Sequence, residues 1–341
     1  MKERNFQQIK EELPGIKRNV SLKSYTTFKI GGPAKYFFEA KGKEDLIEAI
    51  LVAESKKLPF FILGGGSNIL VSDKGYKGLI IKIKNQKSKI KNTNQKSKII
   101  ETESDALLSQ IVALALKNSL TGLEWAIGIP GTIGGAIYGN AGAFKKSMKN
   151  IVREVEVFDA KELGIKNYKL RDCQFGYRNS LFKKNPHLII LSVTLQLKKG
   201  NKLEIEKRIK EYLNYRKEKQ PLNLPSVGSI FKNSKNFSAG ELGEEDKSSS
   251  LSTELPKEAK VRKRTKFSCD FAAARLIEEC GLKGKRIGNV KISEKHANFI
   301  VNLGGGKAED VKKLINLAKK RVKEKFGITL EEEICYLGFK N

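Results

Sequence analysis

The chain has two histidines, four cysteines, two methionines and one tryptophan among 341 residues. With only His187 and His296 available, any acid–base chemistry must rest largely on other side chains. The cysteines, at 173, 269, 280 and 335, form no C-x-x-C pair and no metal-ligand spacing. No metal is therefore expected, and reduced thiols in a cytoplasm are the expected state. The N-terminal MKERNFQQIKEELPG has no apolar h-region, and no uncharged apolar run reaches the length of a spanning helix. A soluble, unexported chain with no membrane partner is expected, and a monomer. Acidic residues are scarce as well, 38 against 66 Lys+Arg, for a formal charge of +28. That excess invites a nucleic-acid reading. The lysines are scattered, however, and no Arg-rich or aromatic-interleaved stripe appears, so no nucleic-acid partner is expected. An anionic small-molecule substrate would benefit from the same field.

Two common phosphate signatures are also missing. Gly128, Gly131 and Gly134 are three apart, so there is no G-x-G-x-x-G, and no G-x-x-x-x-G-K-[ST] occurs. What is present is Gly122–Phe144, GLEWAIGIPGTIGGAIYGNAGAF, with seven glycines and almost no charge. Glycine permits positive φ and close approach, so successive N–H groups can converge on an anion. Tight turns between buried strands would account for one such loop. A second repeats the logic, since Gly64-Gly65-Gly66-Ser67-Asn68 follows the strand-like Pro59–Leu63. Two loops suggest a cradle for a large phosphorylated cofactor held outside a Rossmann frame.

At this length two or three domains are expected. Residues 1–20 read as a polar helix ended by Pro14-Gly15. Strand signals at Tyr25–Ala40, an amphipathic helix at Lys43–Lys57, and strand, glycine loop and strand through Pro59–Ile83 make a β-α-β opening. The duplicated NQKSK at 85–89 and 94–98 reads as a solvated hairpin with Asn92-Thr93 near its tip. A helix at Asp105–Asn118 leads into the glycine stretch. Strands follow at Val152–Phe158 and Leu188–Leu197, with Asp172–Phe182 between them. A charged helix at Leu203–Lys219 marks the natural domain boundary. Residues 234–268 combine low hydrophobicity, blocks of charge and a serine run, the composition of a disordered insert. A helix at Asp270–Cys280, strands at Lys285–Ser293 and Ala297–Asn302, a basic helix to Phe326 and a last strand, ITLEEEICYLG, complete the chain.

Three places have side chains suited to chemistry. Arg178 lies among Phe175, Tyr177 and Phe182. It is either stacked on Tyr177 and paired to a surface carboxylate, or a planar fork placed to grip a substrate carboxylate. Ser229 begins a strand-like segment, either as a turn hydroxyl or as a reacting group, with Lys232 and Asn233 beside it. In the last strand, alternation sends Glu331 and Glu333 to one face and Glu332 to the other, so one buried glutamate is expected.

Together, YTTFKIGGPA, LGGGSNILVSDKGYKGLII, the glycine stretch, FGYRNSLF, QPLNLPSVGSIFKN, ARLIEECGLKGKRIGN, ISEKHANFIVN and LEEEICYLG closely resemble the UDP-N-acetylenolpyruvoylglucosamine reductase family, in family order from about residue 20 to 338. The resemblance implies an α+β fold. A vanillyl-alcohol-oxidase-type (PCMH) FAD-binding region (21–200, two subdomains) would precede a smaller substrate-binding domain (201–233 and 269–326), with residues 327–341 returning to the site. It implies non-covalent FAD, NADPH as co-substrate, and reduction of a UDP-sugar's enolpyruvyl group to give UDP-N-acetylmuramate for peptidoglycan. Carried over by motif, Arg178 and Glu333 stabilise the enolate-like intermediate and Ser229 is the proton donor. Gly64, Gly65, Gly66, Ser67, Asn68, Gly128, Ile129, Pro130, Gly131, Thr132, Gly134, Gly135, Ala141 and Gly142 would hold the cofactor. Tyr177, Lys219, Asn233 and Lys283 match substrate-binding positions.

Departures from the family pattern are Ser234 for the usual proline after F-K-N, Cys335 for an arginine, and Ala273-Ala274 for Ala-Gly. Between Phe182 and Leu203 the chain is short, as in the family variant without the tyrosine-bearing loop. The rival readings are another flavin oxidoreductase of the same fold, or a basic binding protein that has lost catalysis.

Overall fold

The computed structural model describes residues 2–83, 88–92, 97–233 and 272–339. The expected disordered insert, residues 234–268, lies outside the described residues, as does the tip of the 85–98 hairpin. The hairpin's arms are seen: Ser88–Asn92 pairs antiparallel with Ser97–Glu103.

The β-α-β opening forms as the apolar pattern requires. Pro33–Ala40 runs parallel to Tyr76–Ile83, which runs parallel to Phe60–Leu63. The helix Lys43–Ser55 turns Leu46, Ala49, Ile50 and Ala53 inward, an i, i+3, i+4, i+7 set, onto one face of that sheet. The N-terminal reading needs correction. The helix covers only Lys2–Glu12, and Lys17–Ser21 is a strand that pairs antiparallel with Pro33–Ala40. Ile9, Leu13 and Ile16 are buried against the sheet, so the segment belongs to this core and is not a detached polar helix.

A six-stranded antiparallel sheet makes the second layer. Val152–Asp159 and Gly164–Lys169 form a hairpin, and the 12-residue strand Leu188–Lys199 joins Val152–Asp159 to Ser97–Glu103. Its core includes Trp125, Ile133, Ile137, Phe182 and Leu195 and lies directly under the glycine stretch. The helix expected from Asp105 starts later and runs Leu108–Lys117. The preceding residues are held otherwise: Ser104 N–H donates to Leu191 O at 2.9 Å, and Ala106 O accepts from Ile133 N at 2.9 Å.

The third unit is a four-stranded sheet in the order Ser226–Ser229, Phe299–Asn302, Val290–Ile292, Arg286–Ile287. The strand read at Lys285–Ser293 is two short strands, because Gly288, at φ +53°, turns the chain tightly against Asp310. The helix read from Asp270 is described over Ala273–Glu279. The long helix Ala308–Phe326 buries Val311, Leu314, Ile315, Ala318 and Val322 and stops at Gly327, whose φ of +71° closes it. Its first turn is capped by Asp73, a residue of the opening unit, whose carboxylate accepts from Ala308 N at 2.9 Å and Glu309 N at 3.2 Å. Asn302 Nδ2 donates to Phe28 O at 2.9 Å, and Thr27 Oγ1 donates to Ser226 O at 2.7 Å. These bonds join the third unit to the first beside the glycine loop.

Candidate active site

The two glycine loops meet backbone to backbone. Gly64–Asn68 leaves the strand Phe60–Leu63 and enters the strand Ile69–Val71. A Cβ on Gly65 would stand 2.6 Å from Gly131 Cα, a distance no side chain tolerates. Ser67 Oγ donates to Pro130 O at 3.0 Å, and Gly66, at φ +62°, accepts from Thr27 N at 3.1 Å. Among the described residues the N–H groups of Gly65, Gly66 and Ser67 have no acceptor. Beneath the loop Lys82 Nζ donates to Gly64 O at 3.2 Å, and burial pulls its pKa down. Free backbone donors over a partly buried cation, on a loop that tolerates no side chain, suit an anionic phosphate.

The donor role expected of the second loop is narrower. Gly134 N donates to Ser104 O at 2.6 Å, Gly135 N to Thr132 Oγ1 at 3.3 Å, and Ile129 N to Ala126 O at 3.1 Å. Those N–H groups are committed within the protein, and Gly134 is small because Ser104 packs against it. Gly128 and Gly131, at φ +73° and +124°, keep the left-handed conformations that shape the loop. Ala141 and Gly142 lie beyond the short helix Ile133–Tyr138, in a turn where Ala141 N donates to Ala136 O at 2.8 Å.

Arg178 stands at the tip of a two-residue turn. Gly176 and Asn179 exchange backbone hydrogen bonds at 3.0 and 3.2 Å, which leaves Tyr177 and Arg178 projecting. Two side-chain bonds tie the turn to the glycine stretch: Asn140 Nδ2 to Gly176 O at 2.8 Å, and Ser180 Oγ to Tyr138 O at 2.7 Å. Arg178 is held at φ +52°. A left-handed non-glycine residue costs about 1–3 kcal/mol and tends to persist where function requires it. Its guanidinium carbon lies 5.4 Å from the Tyr177 ring centroid, so the stacking reading holds. Its carboxylate partner is not on the surface: Arg178 Nε is 2.6 Å from Glu333 Oε1, with side chains 24% and 18% exposed. Nε–H does not point along this contact, but Glu333 draws both charge and hydrogen-bond stabilisation from the guanidinium.

Glu333 is placed by the backbone rather than by strand alternation. The last strand is only Cys335–Leu337, parallel to Ile69–Val71, so the three glutamates precede it. Glu333 N donates to Ile230 O at 2.8 Å, Asn68 Nδ2 donates to Glu333 O at 3.1 Å, and Cys335 N donates to Asn68 O at 2.9 Å. Glu331 is exposed and paired with Lys232, whereas Glu332 is paired with Lys319 at 2.7 Å and bonded by the Tyr336 hydroxyl. The expected split of faces therefore fails: Glu331 and Glu333 do not share an environment. No single buried glutamate is found: the Glu332 and Glu333 side chains are 19% and 18% exposed, and what sets Glu333 apart is its contact with Arg178. Burial raises the Glu333 pKa, against the opposing pull of Arg178, Lys183 and Lys232.

Ser229 sits one residue before Ile230, whose carbonyl holds Glu333. Its strand pairs with Phe299–Asn302 through a register shift between Ser226 and Ser229, at Gly228 with φ +78°. Such a bulge re-aims the following side chain. Asn298 fixes the segment beyond it, accepting from Phe231 N at 2.9 Å and donating to Phe231 O at 2.8 Å. Asn233 donates its N–H to Tyr177 Oη at 3.3 Å and accepts from Ala273 N at 3.2 Å, which links the serine segment to the arginine turn. Lys219 and Lys283 are not brought into this cluster by any contact among the described residues. They pair with Glu218 at 2.7 Å and Glu278 at 2.6 Å. Sequence reading missed Asn68 as the tie to the last strand, Lys183 as a cation facing Glu333, and Asn298 as the clamp on the serine segment. For Asn68 and Asn298, lying inside matching motifs was the one available signal.

Glycine loops with free backbone donors suit a phosphorylated cofactor. A family model for an FAD binding domain matches residues 34–163, and one for the C-terminal domain of UDP-N-acetylenolpyruvoylglucosamine reductase matches residues 220–337. The reductase of that name from Caldicellulosiruptor bescii is 41% identical over 93% of this chain and 89% of its own. That from Caldanaerobacter subterraneus is 39% identical over 94% and 93%. The crystal structure of the enzyme from Thermus caldophilus aligns with a TM-score of 0.71 at 32% identity, covering 94% of this chain and 98% of that one. These family matches make the chain an FAD-dependent oxidoreductase. The chain belongs to the UDP-N-acetylenolpyruvoylglucosamine reductase family, and its fold is an FAD-binding domain followed by a smaller α+β domain.

The contact between the loops gives a direct test. Gly65→Ala forces Gly65 and Gly131 apart, an overpacking cost of about 1–3 kcal/mol. Flavin retention should fall roughly tenfold or more, read from the visible-to-ultraviolet absorbance ratio after gel filtration. Full retention would mean that the loops part without disturbing the cofactor.

Proposed function

We propose that this protein reduces the enolpyruvyl group of UDP-N-acetylenolpyruvoylglucosamine to UDP-N-acetylmuramate, with NADPH as electron donor and FAD held non-covalently, in the supply of peptidoglycan precursors. When bound, FAD supplies the hydride chemistry that links the two substrates. The observation that carries this reading is the meeting of three distant segments at Glu333: the turn with Arg178, the serine segment through Ile230, and the glycine loop through Asn68.

Reduction at one alkene carbon builds negative charge toward the carboxylate-bearing neighbour. Arg178 is fixed by its turn and paired with Glu333, so it stabilises that charge without reorganising. Ser229 delivers the proton. A serine is a weak acid in water, so the transfer is driven by the basicity of the carbon that has become electron-rich and needs a hydrogen-bonded neighbour or water to support the hydroxyl. Tyr177 and Asn233, joined by their hydrogen bond, line the substrate side. Lys219 and Lys283 contribute positive charge toward the diphosphate. Residues 21–200 act as the FAD-binding part, and 201–233 with 269–326 as the substrate-binding part. The chain works as a cytoplasmic monomer.

The test is anaerobic. NADPH should bleach the flavin, and UDP-N-acetylenolpyruvoylglucosamine should restore its colour with stoichiometric UDP-N-acetylmuramate. A reduced protein that this substrate leaves bleached would point to a different flavin oxidoreductase, and a colourless protein to a binding protein. Non-covalent attachment is checked in the same preparation. Acid precipitation should release all the flavin into the supernatant, because neither His187 nor His296 lies in a glycine loop; yellow precipitate would contradict it.

A further inference from the structure

Arg216 is a buried charge that the site described so far leaves without a task. The helix Lys202–Lys219 sets Ile205, Ile209, Tyr212 and Arg216 four, three and four residues apart, one face of a helix. Ile205 is buried, and Ile209 and Tyr212 pack on the core beneath the glycine stretch. The next place in this apolar row holds an arginine, only 8% exposed. Its stem uses space that Gly128 leaves open, since a Cβ there would stand 2.9 Å from Arg216 Cδ. The guanidinium carbon is 5.5 Å from the Phe144 ring centroid, and Nη2 donates to Trp125 O over a long 3.4 Å. Nε–H has no acceptor, and burial pulls the pKa below the usual arginine value. No carboxylate among the described residues pairs with it. A guanidinium buried without an anion is destabilising unless a ligand supplies one.

We propose that Arg216 pairs with the pyrimidine edge of the bound isoalloxazine ring, N1 and the C2 carbonyl, and raises the flavin's reduction potential. The inference rests on the FAD reading above. Three observations favour the ring over the diphosphate. The unused backbone donors that suit phosphate lie on Gly65–Ser67, a different loop. Around Arg216 the lining is apolar and aromatic: Leu213 lies 3.5 Å from the Cβ position of Gly128 and is 42% exposed, and Phe144 stacks on Tyr212. The helix is also followed, after residues 220–225, by the strand that carries Ser229, beside which the reacting ring would lie. A planar fork matches two adjacent acceptors, as a lysine does not. When the ring gains two electrons and a proton its pyrimidine edge becomes more negative, so a fixed cation there favours the reduced form.

The experiment compares wild type and Arg216→Met, each loaded with FAD, by redox titration, sulfite titration of the flavin and FAD affinity. The methionine variant should shift the oxidised–reduced equilibrium at least ~10-fold toward the oxidised form, about 30 mV for a two-electron couple. It should weaken the sulfite adduct by a similar factor. Arg216→Lys should recover part of both. An unchanged potential overturns the proposal. Unchanged affinity would then mark Arg216 as a packing residue, and weakened affinity a phosphate clamp. If the methionine variant does not fold, Arg216→Gln decides on the same readouts. A wild-type chain that takes up no FAD overturns both this proposal and the functional reading, and is recognised before any variant is made.

Discussion

Ser229→Ala should slow reduction of the enolpyruvyl substrate by ~10²–10⁴, the range for a lost general acid, and leave reduction of the flavin by NADPH close to unchanged. Flavin reduction needs hydride transfer between two rings and no proton from Ser229. Substrate reduction needs a proton on the carbon that has just become electron-rich. The alanine chain should fold and bind flavin normally, because Ser229 is a small residue at the end of a short strand and the register there is held by Gly228 and Asn298, not by its hydroxyl. Ser229→Cys, which keeps an ionisable proton, should recover part of the rate. Stopped-flow absorbance of the flavin in each half-reaction makes the measurement. Equal slowing of both halves would make Ser229 a flavin-positioning residue, and near-normal substrate reduction would place the proton source elsewhere.

Arg178→Met should lower the substrate half-reaction by ~10²–10³, comparable with removal of one donor from a preorganised anion site. Arg178→Lys should recover little, since a point charge on a flexible stem replaces neither the fork nor its stacking on Tyr177. The loss has a second consequence. Arg178 is the leading influence that holds down the pKa of Glu333, which burial already raises. Without the guanidinium, Glu333 should titrate higher still. Its folded-state pKa is raised, so ionisation opposes folding: the native state is favoured below the unfolded glutamate pKa, and stability falls as pH rises through the folded value. Arg178→Met should therefore lose melting temperature as pH rises from acid, and the added change Glu333→Gln should flatten that loss. A melting profile independent of pH would mean that solvent or a nearby lysine takes over the pairing.

Much of the fold was readable along the chain because the information is local. The β-α-β opening, the burial of Leu46 and Ile50 on its helix, and the stop of the last long helix at Gly327 follow from periodicity and glycine chemistry. Leu51, read onto the same face as Leu46, Ile47 and Ile50, is instead exposed, and Ala49 and Ala53 complete the inward set. The motifs that carry the site were readable too, since the glycine loops, the Arg178 turn and the Ser229 segment each have a composition suited to their task. Boundaries decided by distant partners were not readable. Lys17–Ser21 is a strand because Pro33–Ala40 offers it an edge, and the helix after Asp105 begins late because Ser104 and Ala106 are already bonded to other segments.

The sequence by itself determined which groups this protein can bring to chemistry: a guanidinium, a hydroxyl, a carboxylate and two loops without side chains, with histidine nearly absent. Only the tertiary structure decided which glutamate serves. Alternation along an assumed strand treats Glu331 and Glu333 alike, whereas the backbone bonds to Ile230 and Asn68 carry Glu333 to Arg178 and leave Glu331 exposed. It also decided that Gly134 and Gly135 commit their N–H groups internally, and that Arg216 is buried without an anion. Each of these depends on which atoms become neighbours across more than sixty residues of chain, or on which partners a donor has already taken, and no periodicity within a single segment records either.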